Sequence, residues 1–361
     1  MAERVVLHIG ARKTATTYLQ RCLQALAKKG RIDPALYPLD TRGEDDHNHV
    51  PGLIDLLRTY DQIPLQSDAW RHLDGQAASA LIDKVASTPG TVVLSAEAVA
   101  ATRLSGARTA VAAFAPAEVT VLITTRALGR VLASSWAQHI RNGNIETFSD
   151  YLQLRAEERE MTDSLETRSR RAFWRAYSYG SLVRRWQDTG AEVVVATVPA
   201  SQTEPNLMWE RFRVATGLTN ELPLEPPRVS SRKANSSLAL EQTHVLQGFN
   251  VAAKQAGHDR RWIRREHRRL LRHGLAADLD HPLIDGIPTS MHAQIMQWQE
   301  SDVQDLLATD VELVGDIDDL RIAPRPTPES AELITHIEDC TGRGLLGIHG
   351  LNKQSADAAG Q

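Results

Sequence analysis

Residues 10–17 have the composition of an anion-binding loop. They combine a turn-forming glycine, two cations and three hydroxyls: Gly10, Arg12, Lys13, Thr14, Thr16 and Thr17. An apolar run precedes them and helical spacing follows, so they stand at a strand-to-helix junction, where exposed amides and the helix dipole attract phosphate. A helix N-cap needs only one threonine, so capping explains neither the cations nor the cluster. We therefore expect this loop to bind a phosphate-like anion.

The loop lacks the consensus of ordinary ATPases and GTPases. A Walker A loop has the form G-x-x-x-x-G-K-[ST], whereas no second glycine stands between Gly10 and Lys13. This absence disfavours a nucleotide kinase or another P-loop phosphotransferase, which would require Mg²⁺ as well as that glycine and which stays the alternative enzyme class. A protein that binds a nucleotide without catalysis is a third candidate.

A second cation stands at the end of another apolar run. Arg126 follows residues 119–125, and Ser134 comes eight residues later, two turns into a segment with helical spacing. The two side chains can meet at one anionic group, to which an arginine donates charge-assisted hydrogen bonds. Arg130 lies between them and either joins them or faces solvent.

Four apolar runs rich in β-branched residues predict the strands that position these loops. They are RVVLHI (4–9), TVVLSA (91–96), VTVLITT (119–125) and EVVVATV (192–198). Continuous apolar runs are typical of parallel strands that are buried on both faces, and the stretches between them have helical spacing. The fold class is therefore α/β, with a central parallel sheet flanked by helices, in which ligands bind beyond the carboxyl ends of the strands.

The rest of the chain predicts helices and loops. After about residue 226 the strand signal disappears, so we expect one domain over residues 1–350, mainly helical from about 230, and a disordered tail over 351–361. His8 lies inside the first strand and is expected to be a core residue. The length of 361 residues is compatible with one large α/β domain.

Composition sets limits on location and partners. The formal charge is −4, which gives no reason to expect nucleic acid, and no apolar run is long enough for a transmembrane helix. The two cysteines, Cys22 and Cys340, make a disulfide framework improbable and fit a reducing cytoplasm. No signal peptide is expected, since the N-terminus enters a strand directly. The sequence does not indicate an oligomeric state.

Residues 260–273 carry seven arginines on one presumed helix. Such a helix can bind nucleic acid, an acidic glycan or an anionic lipid. Most charged helical faces are simply solvated, and this is the first interpretation. The second is that the arginines bind an anionic acceptor or line the mouth of a nucleotide site.

The segment LHIGARKTATTYLQ (7–20) resembles the 5′-phosphosulfate-binding loop of sulfotransferases that use 3′-phosphoadenosine 5′-phosphosulfate (PAPS), whose common form is K-[ST]-G-T-T after a strand. The matching residues are Lys13, Thr14, Thr16 and Thr17. Ala15 stands where the family has glycine. A helical backbone at Ala15 would tolerate the methyl group, whereas a positive φ would cost about 1–2 kcal/mol.

The spacing of Arg126 and Ser134 resembles the 3′-phosphate-binding element of the same family. The segment RKANSSLALE (232–241) resembles a stretch that often follows the last strand, which implies that Arg232 and Lys233 lie near the same phosphate. The resemblance covers roughly residues 4–245. It implies a P-loop-like sulfotransferase fold and a single cosubstrate, PAPS, without a metal.

By this resemblance the chain is a sulfotransferase, which moves a sulfonate group to a hydroxyl or amine of a small molecule, glycan or lipid by in-line displacement. Lys13 would stabilise charge on the oxygen that bridges sulfur and phosphorus, where it grows as the bond breaks. Nucleotide binding would involve the loop and the other two elements: Gly10, Arg12, Lys13, Thr14, Ala15, Thr16, Thr17, Arg126, Ser134, Arg232 and Lys233.

An acceptor hydroxyl needs a general base, which the family supplies as His or Glu. Glu97 ranks first, because it stands just past the second predicted strand, in LSAE, which resembles a segment of bacterial relatives. His47 and His49 are the alternatives, on a polar loop that could fold over the acceptor. A helix-capping glutamate and solvated loop histidines are the simpler interpretations.

Overall fold

The computed structural model describes residues 1–39, 49–58, 73–161, 164–166, 172–200, 206–229, 238, 240–271 and 286–327. The chain divides into two compact units. The first unit comprises Met1–Leu128, Glu157–Asn235 and Gln297–Ile322, and the second comprises Gly129–Ala156, Ser236–Met296 and Ala323–Gln361. Whether the two units form the single domain predicted for residues 1–350 is not tested by this division, so the single domain stays a prediction.

Strands and helices alternate along the first half of the chain. The strands are β1 (Ala2–His8), β2 (Gly90–Ser95), β3 (Glu118–Thr125), β4 (Glu192–Thr197), β5 (Gly286–Pro288), β6 (Glu312–Val314) and β7 (Arg325–Thr327). The α-helices are α1 (Thr16–Lys28), α2 (Val50–Arg58), α3 (Gln76–Ser87), α4 (Leu104–Ala112), α5 (Leu128–Arg141), α6 (Phe148–Glu160), α7 (Ala172–Tyr177), α8 (Tyr179–Gln187), α9 (Leu207–Ala215), α10 (Leu240–Gln255), α11 (Arg260–Leu270) and α12 (Thr289–Leu307).

The first unit is built on a five-stranded parallel sheet with the order β2-β1-β3-β4-β6. The α/β class and the four predicted strands are confirmed, each within two residues of its expected ends. Apolar residues of the inner strands are almost completely buried, as continuous β-branched runs require when helices cover both faces. The carboxyl ends of all five strands lie at one edge of the sheet.

The prediction that no strand follows residue 226 is wrong. Glu312–Val314 pairs in parallel with residues 194–196 of β4 and extends the sheet, while Gly286–Pro288 and Arg325–Thr327 pair with each other in the second unit. Each of these strands has three residues, which is too short for a recognisable apolar run. Their pairing depends on partners that are distant in sequence.

Helix α1 packs one face against the sheet. Leu19, Cys22, Leu23 and Leu26 form an apolar stripe and are fully buried in a cluster that includes Val6 of β1, which confirms the helix expected after the loop. This packing fixes the start of α1 beside the carboxyl end of β1 and thereby positions the loop between them.

The described residues after 230 are mainly helical, as predicted, apart from the three short strands β5, β6 and β7. The predicted tail, 351–361, lies outside the described residues. None of the described helices is both long and apolar enough to cross a membrane.

Candidate anion-binding site

The loop after β1 emerges at the switch point of the sheet. β1 lies between β2 and β3; the chain passes from β1 to β2 on one side and from β3 to β4 on the other. Crevices for ligands form at the carboxyl edge where the strand order reverses in this way. Residues 9–15 and Arg126, which follow β1 and β3 respectively, therefore flank the expected crevice.

Gly10 is required by the close approach of β3. A Cβ atom at this position would lie 2.0 Å from Oγ1 of Thr124 and 2.8 Å from Nε2 of His8. No real Cβ atom tolerates such contacts, so any other residue would push the loop away from the sheet. The glycine predicted from the sequence as a turn residue is therefore needed for close packing.

The loop contains two non-glycine residues in the left-handed conformation. Lys13 has a φ of 68°, and Ala15, the residue before α1, has φ 64° and ψ 6°. Of the two backbone conformations considered for Ala15, the structure has the one with positive φ. This conformation costs alanine about 1–2 kcal/mol relative to glycine. Left-handed residues within a turn orient successive amides toward one concave side, an arrangement that binds anions.

The amide groups of residues 14–18 are available to a ligand. The first hydrogen bond of α1 runs from the amide of Leu19 to the carbonyl of Ala15, over 3.1 Å. Within the described part of the chain, no hydrogen bond is recorded from the five preceding amides, and the first turn carries no acidic residue. The positive end of the helix dipole is therefore uncompensated by protein groups.

Two side chains from distant elements bind the carbonyl groups of this loop. Nη1 of Arg126 donates a hydrogen bond to the carbonyl of Lys13 (3.2 Å), and the hydroxyl of Tyr177 donates one to the carbonyl of Arg12 (2.8 Å). Arg126 is itself fixed by Tyr179, whose hydroxyl accepts from its amide (3.1 Å) and donates to its carbonyl (2.9 Å). Burial raises the pKa of Tyr179 well above its ordinary value, so this hydroxyl stays protonated.

Sequence reasoning missed the two tyrosines as site residues. Both lie in the segment YSYGS (177–181), at the junction of α7 and α8. In the sequence they stand out only as two aromatic residues that carry a hydroxyl group. Their hydrogen bonds to the carbonyl groups of Arg12 and Arg126 join residues that are far apart in the chain, so the local sequence does not indicate them.

Thr14 and Thr16 hydrogen-bond to the loop itself. The hydroxyl of Thr14 donates to the carbonyl of Ala11 (2.5 Å), and that of Thr16 lies 3.5 Å from the same carbonyl. Both threonines are buried, whereas Thr17 is half-buried and has no recorded hydroxyl partner among the described residues. Thr14 and Thr16 therefore shape the loop, and Thr17 has the hydroxyl that is open to a ligand.

A chain of hydrogen bonds below the loop fixes the proton positions. Because Thr14 gives its one hydroxyl proton to Ala11, Thr124 must donate across the 2.8 Å between the two hydroxyls. Thr124 in turn accepts from Nε2–H of His8 (3.2 Å), and Nδ1 of His8 accepts from the hydroxyl of Ser95 (2.9 Å). The chain thus selects one neutral tautomer of His8.

His8 is a core residue, as predicted. It is fully buried, and burial lowers its pKa to about 3. The other end of the chain is Gln20, whose amide group donates to the Ser95 hydroxyl over 3.2 Å. Polar side chains of β1, β2, β3 and α1 therefore hold the loop from below.

Glu97 is a half-buried carboxylate at the same edge of the sheet. It begins a 3-10 helix, Glu97–Ala101, directly after β2, and the amide of Ala96 bonds to the carbonyl of His8 (3.0 Å). No hydrogen bond or ion pair of Glu97 is recorded within the described residues. Its role as the general base stays a prediction, and its place beside the loop is compatible with that role.

His49 is a structural residue in this arrangement. It is buried, its Nε2–H donates to the carbonyl of Pro38 (2.8 Å), and its Nδ1 accepts from the amide of Ser95 (3.2 Å). Because both ring nitrogens are engaged by the backbone, the geometry favours Glu97 over His49 as the base. His47 lies outside the described residues.

Ser134, Arg232 and Lys233 are the residues predicted to share a phosphate with Arg126. Ser134 is half-buried on α5, in the second unit, whereas Arg126 belongs to the first unit. Arg232 and Lys233 lie outside the described residues. A shared phosphate site for these residues stays a prediction.

The described part of the chain contains no group of three or more His, Cys, Asp or Glu side chains that could hold a metal. The chain matches no protein-family model, and no curated protein matches it significantly. Its function is therefore inferred from the geometry of this site.

Proposed function

We propose that the first unit binds PAPS at residues 10–17 and transfers the sulfonate group to a hydroxyl or amine acceptor. The observation that carries this proposal is the row of five amides, residues 14–18, which lack recorded protein partners at the switch point of the sheet. A helix N-terminus with such amides favours a phosphate group, whose oxygens each accept several hydrogen bonds.

The loop fits an anion in three respects. Gly10 brings it close to the sheet, and the left-handed residues Lys13 and Ala15 turn its amides to one side. Arg126 and Tyr177 hold the carbonyls of residues 12 and 13, which keeps these acceptors from competing for the amides. The loop is thereby preorganised before any ligand arrives.

When bound, PAPS would supply the sulfonate group. The leaving group would be adenosine 3′,5′-bisphosphate, whose 5′-phosphate keeps the electron pair of the broken sulfur–oxygen bond. The amides of residues 14–18 and the Thr17 hydroxyl hold the 5′-phosphate. Lys13 stabilises the negative charge that grows on the bridging oxygen, and Arg126 binds the 3′-phosphate. Glu97 accepts the proton that the attacking acceptor loses.

The experiment that tests the proposal is calorimetric titration with adenosine 3′,5′-bisphosphate, the product nucleotide, and with ATP in the presence and absence of Mg²⁺. We expect metal-independent binding that prefers the bisphosphate, and weaker binding in Lys13→Met, which removes the charge but keeps the chain length. Lys84→Met, an exposed substitution on α3, is the matched control and should bind like the wild type. Tighter binding of Mg-ATP would favour a P-loop phosphotransferase.

Transfer is tested separately with ³⁵S-labelled PAPS and a panel of hydroxyl and amine acceptors. Labelled product that depends on Lys13 supports the sulfotransferase function. Tight bisphosphate binding without turnover of PAPS, with or without acceptors, would instead support a non-catalytic nucleotide-binding protein.

A further inference from the structure

Helix α11 in the second unit exposes an unusual concentration of arginines. Its buried face is formed by Ile263, His267 and Leu270, and Nδ1–H of His267 donates to the carbonyl of Arg141 on α5 (3.2 Å). The remainder of the helix carries six arginines: Arg260, Arg261, Arg264, Arg265, Arg268 and Arg269. The apolar side of the helix is therefore used for packing, while five of the six arginines are exposed and Arg264 is half-buried.

Three of these arginines have protein partners. Arg265 and Arg269 each contact Glu266 over 3.0 Å, and Arg260 donates a hydrogen bond to Oδ1 of Asn144. No such partner is recorded in the described residues for the other three, which we call the arginine stripe: Arg261, Arg264 and Arg268. At 100° per residue the stripe lies within an arc of about 60° and extends about 10 Å along the helix.

The stripe is electrostatically unfavourable in the isolated protein. Like charges that lie three or four residues apart on a helix repel each other, and Glu266 is the only acidic residue within α11. The helix is stabilised instead by its buried face and by Asp259, whose side chain caps the amide of Trp262 over 2.7 Å. A polyanion bound along the stripe would relieve this repulsion.

A stack of aromatic rings adjoins the cationic face. The ring of Trp262 is parallel within 8° to that of His258, with centroids 3.7 Å apart, and within 7° to that of Phe249, at 5.8 Å. His258 is exposed and Trp262 is half-buried. The stack therefore ends in an exposed ring on which another flat ring can stack.

We propose that α11 and this stack bind single-stranded nucleic acid. Guanidinium groups of the stripe pair with phosphates, and a base stacks on His258, the combination by which single strands are bound without sequence preference. A membrane surface fits less well, because the apolar face of α11 is buried and the exposed large apolar residues of the described chain lie outside α10 and α11. The overall charge of −4 does not show this local cationic surface, which is visible in the sequence only as the run of arginines in residues 260–273.

The experiment measures fluorescence anisotropy of a labelled dT oligonucleotide with the full chain over a range of salt concentrations. The triple variant Arg261→Gln, Arg264→Gln, Arg268→Gln should bind at least about tenfold more weakly near 100 mM salt. The negative slope of log K against log salt should become shallower by about 2, since each lost phosphate contact removes about 0.7 from its magnitude. The control removes three exposed arginines of the first unit, Arg31→Gln, Arg108→Gln and Arg228→Gln, and should bind like the wild type.

His258→Ala tests the stacking contribution and should weaken binding about threefold or more while the salt slope stays the same. Circular dichroism establishes that all variants are folded. Absence of binding at low salt, or an equal loss in the control, would overturn the proposal. Two other results would also overturn it. Binding of phosphatidylserine vesicles that depends on the stripe, without binding of the oligonucleotide, would assign the stripe to lipids. Competition by dextran sulfate together with no effect of His258→Ala would assign the stripe to polyanions in general.

Discussion

The guanidinium group of Arg126 donates a hydrogen bond to the backbone carbonyl of Lys13, across 3.2 Å and 113 positions of sequence. It joins the end of β3 to the loop after β1, on the two sides of the sheet's switch point. Arg126, which we propose binds the 3′-phosphate of a nucleotide, therefore also shapes the loop proposed for the 5′-phosphate.

This double role predicts two effects of Arg126→Ala. Loss of the contact to Lys13 should weaken binding of AMP, and loss of the 3′-phosphate contact should weaken binding of adenosine 3′,5′-bisphosphate by a further 10-fold or more, since a hydrogen bond to a charged group contributes about 1.5–3 kcal/mol. Calorimetry with both nucleotides separates the effects, with Arg108→Ala as an exposed control. Unchanged AMP affinity would contradict the loop-shaping role, and equal losses for both nucleotides would contradict the 3′-phosphate role.

Ala15→Gly should stabilise the protein. Relief of the left-handed strain at φ 64° gains about 1–2 kcal/mol, and the greater freedom of glycine in the unfolded chain offsets about 0.4–1 kcal/mol of it. We expect a net rise of about 0.5–1 kcal/mol in the free energy of unfolding, measured by urea denaturation. Ala11→Gly, in the same loop but without a positive φ, is the control and should not stabilise; a stabilised Ala11→Gly would show that the gain at Ala15 does not come from its dihedral angle.

Gly10→Ala should destabilise the first unit. Its new methyl group would overlap Oγ1 of Thr124, and such overpacking costs about 1–3 kcal/mol. Gly248→Ala is the matched control, because it lies in α10 with open space around the added atom and should raise helix stability by up to about 1 kcal/mol. Chemical denaturation of both variants tests the contrast, and a neutral Gly10→Ala would mean that the loop adapts to the added atom.

His8 should make the protein less stable in acid. The histidine is neutral in the folded state, with a pKa lowered from 6.5 to about 3 by burial, whereas in the unfolded chain it takes up a proton below about pH 6.5. Its contribution to stability is therefore fully present above pH 6.5 and is lost as the pH falls, by about 2 kcal/mol at pH 5. Unfolding of the wild type and of His8→Gln at pH 7.5 and pH 5 tests this; the same loss in both proteins would assign the acid sensitivity to other groups.

Glu97→Gln should separate catalysis from binding. If Glu97 is the general base, the substitution lowers kcat for sulfonate transfer by about 10²- to 10⁴-fold and leaves the Kd for adenosine 3′,5′-bisphosphate unchanged. Glu118→Gln changes an exposed carboxylate at the amino end of β3, at the opposite edge of the sheet, and should retain full activity. Retained activity in Glu97→Gln would remove Glu97 from the mechanism.

The four long parallel strands, the helical spacing of α1 and the position of the loop between β1 and α1 could be predicted from the sequence. These features depend on residues that are adjacent or three to four positions apart, whose pattern of burial is visible along the chain. The cations and hydroxyls of residues 10–17 were likewise visible, and so was their suitability for an anion.

The directions in which these backbone and side-chain groups point depend on contacts between distant parts of the chain. The left-handed conformation at Ala15 is set by closure of the chain between a fixed strand and a fixed helix, and Thr14 is turned inward by Thr124, which lies 110 positions away. The tyrosine that binds the carbonyl of Arg12 comes from 165 positions away. Partners at such separations leave no periodic trace in the sequence, because they meet only when the sheet has aligned the ends of its strands.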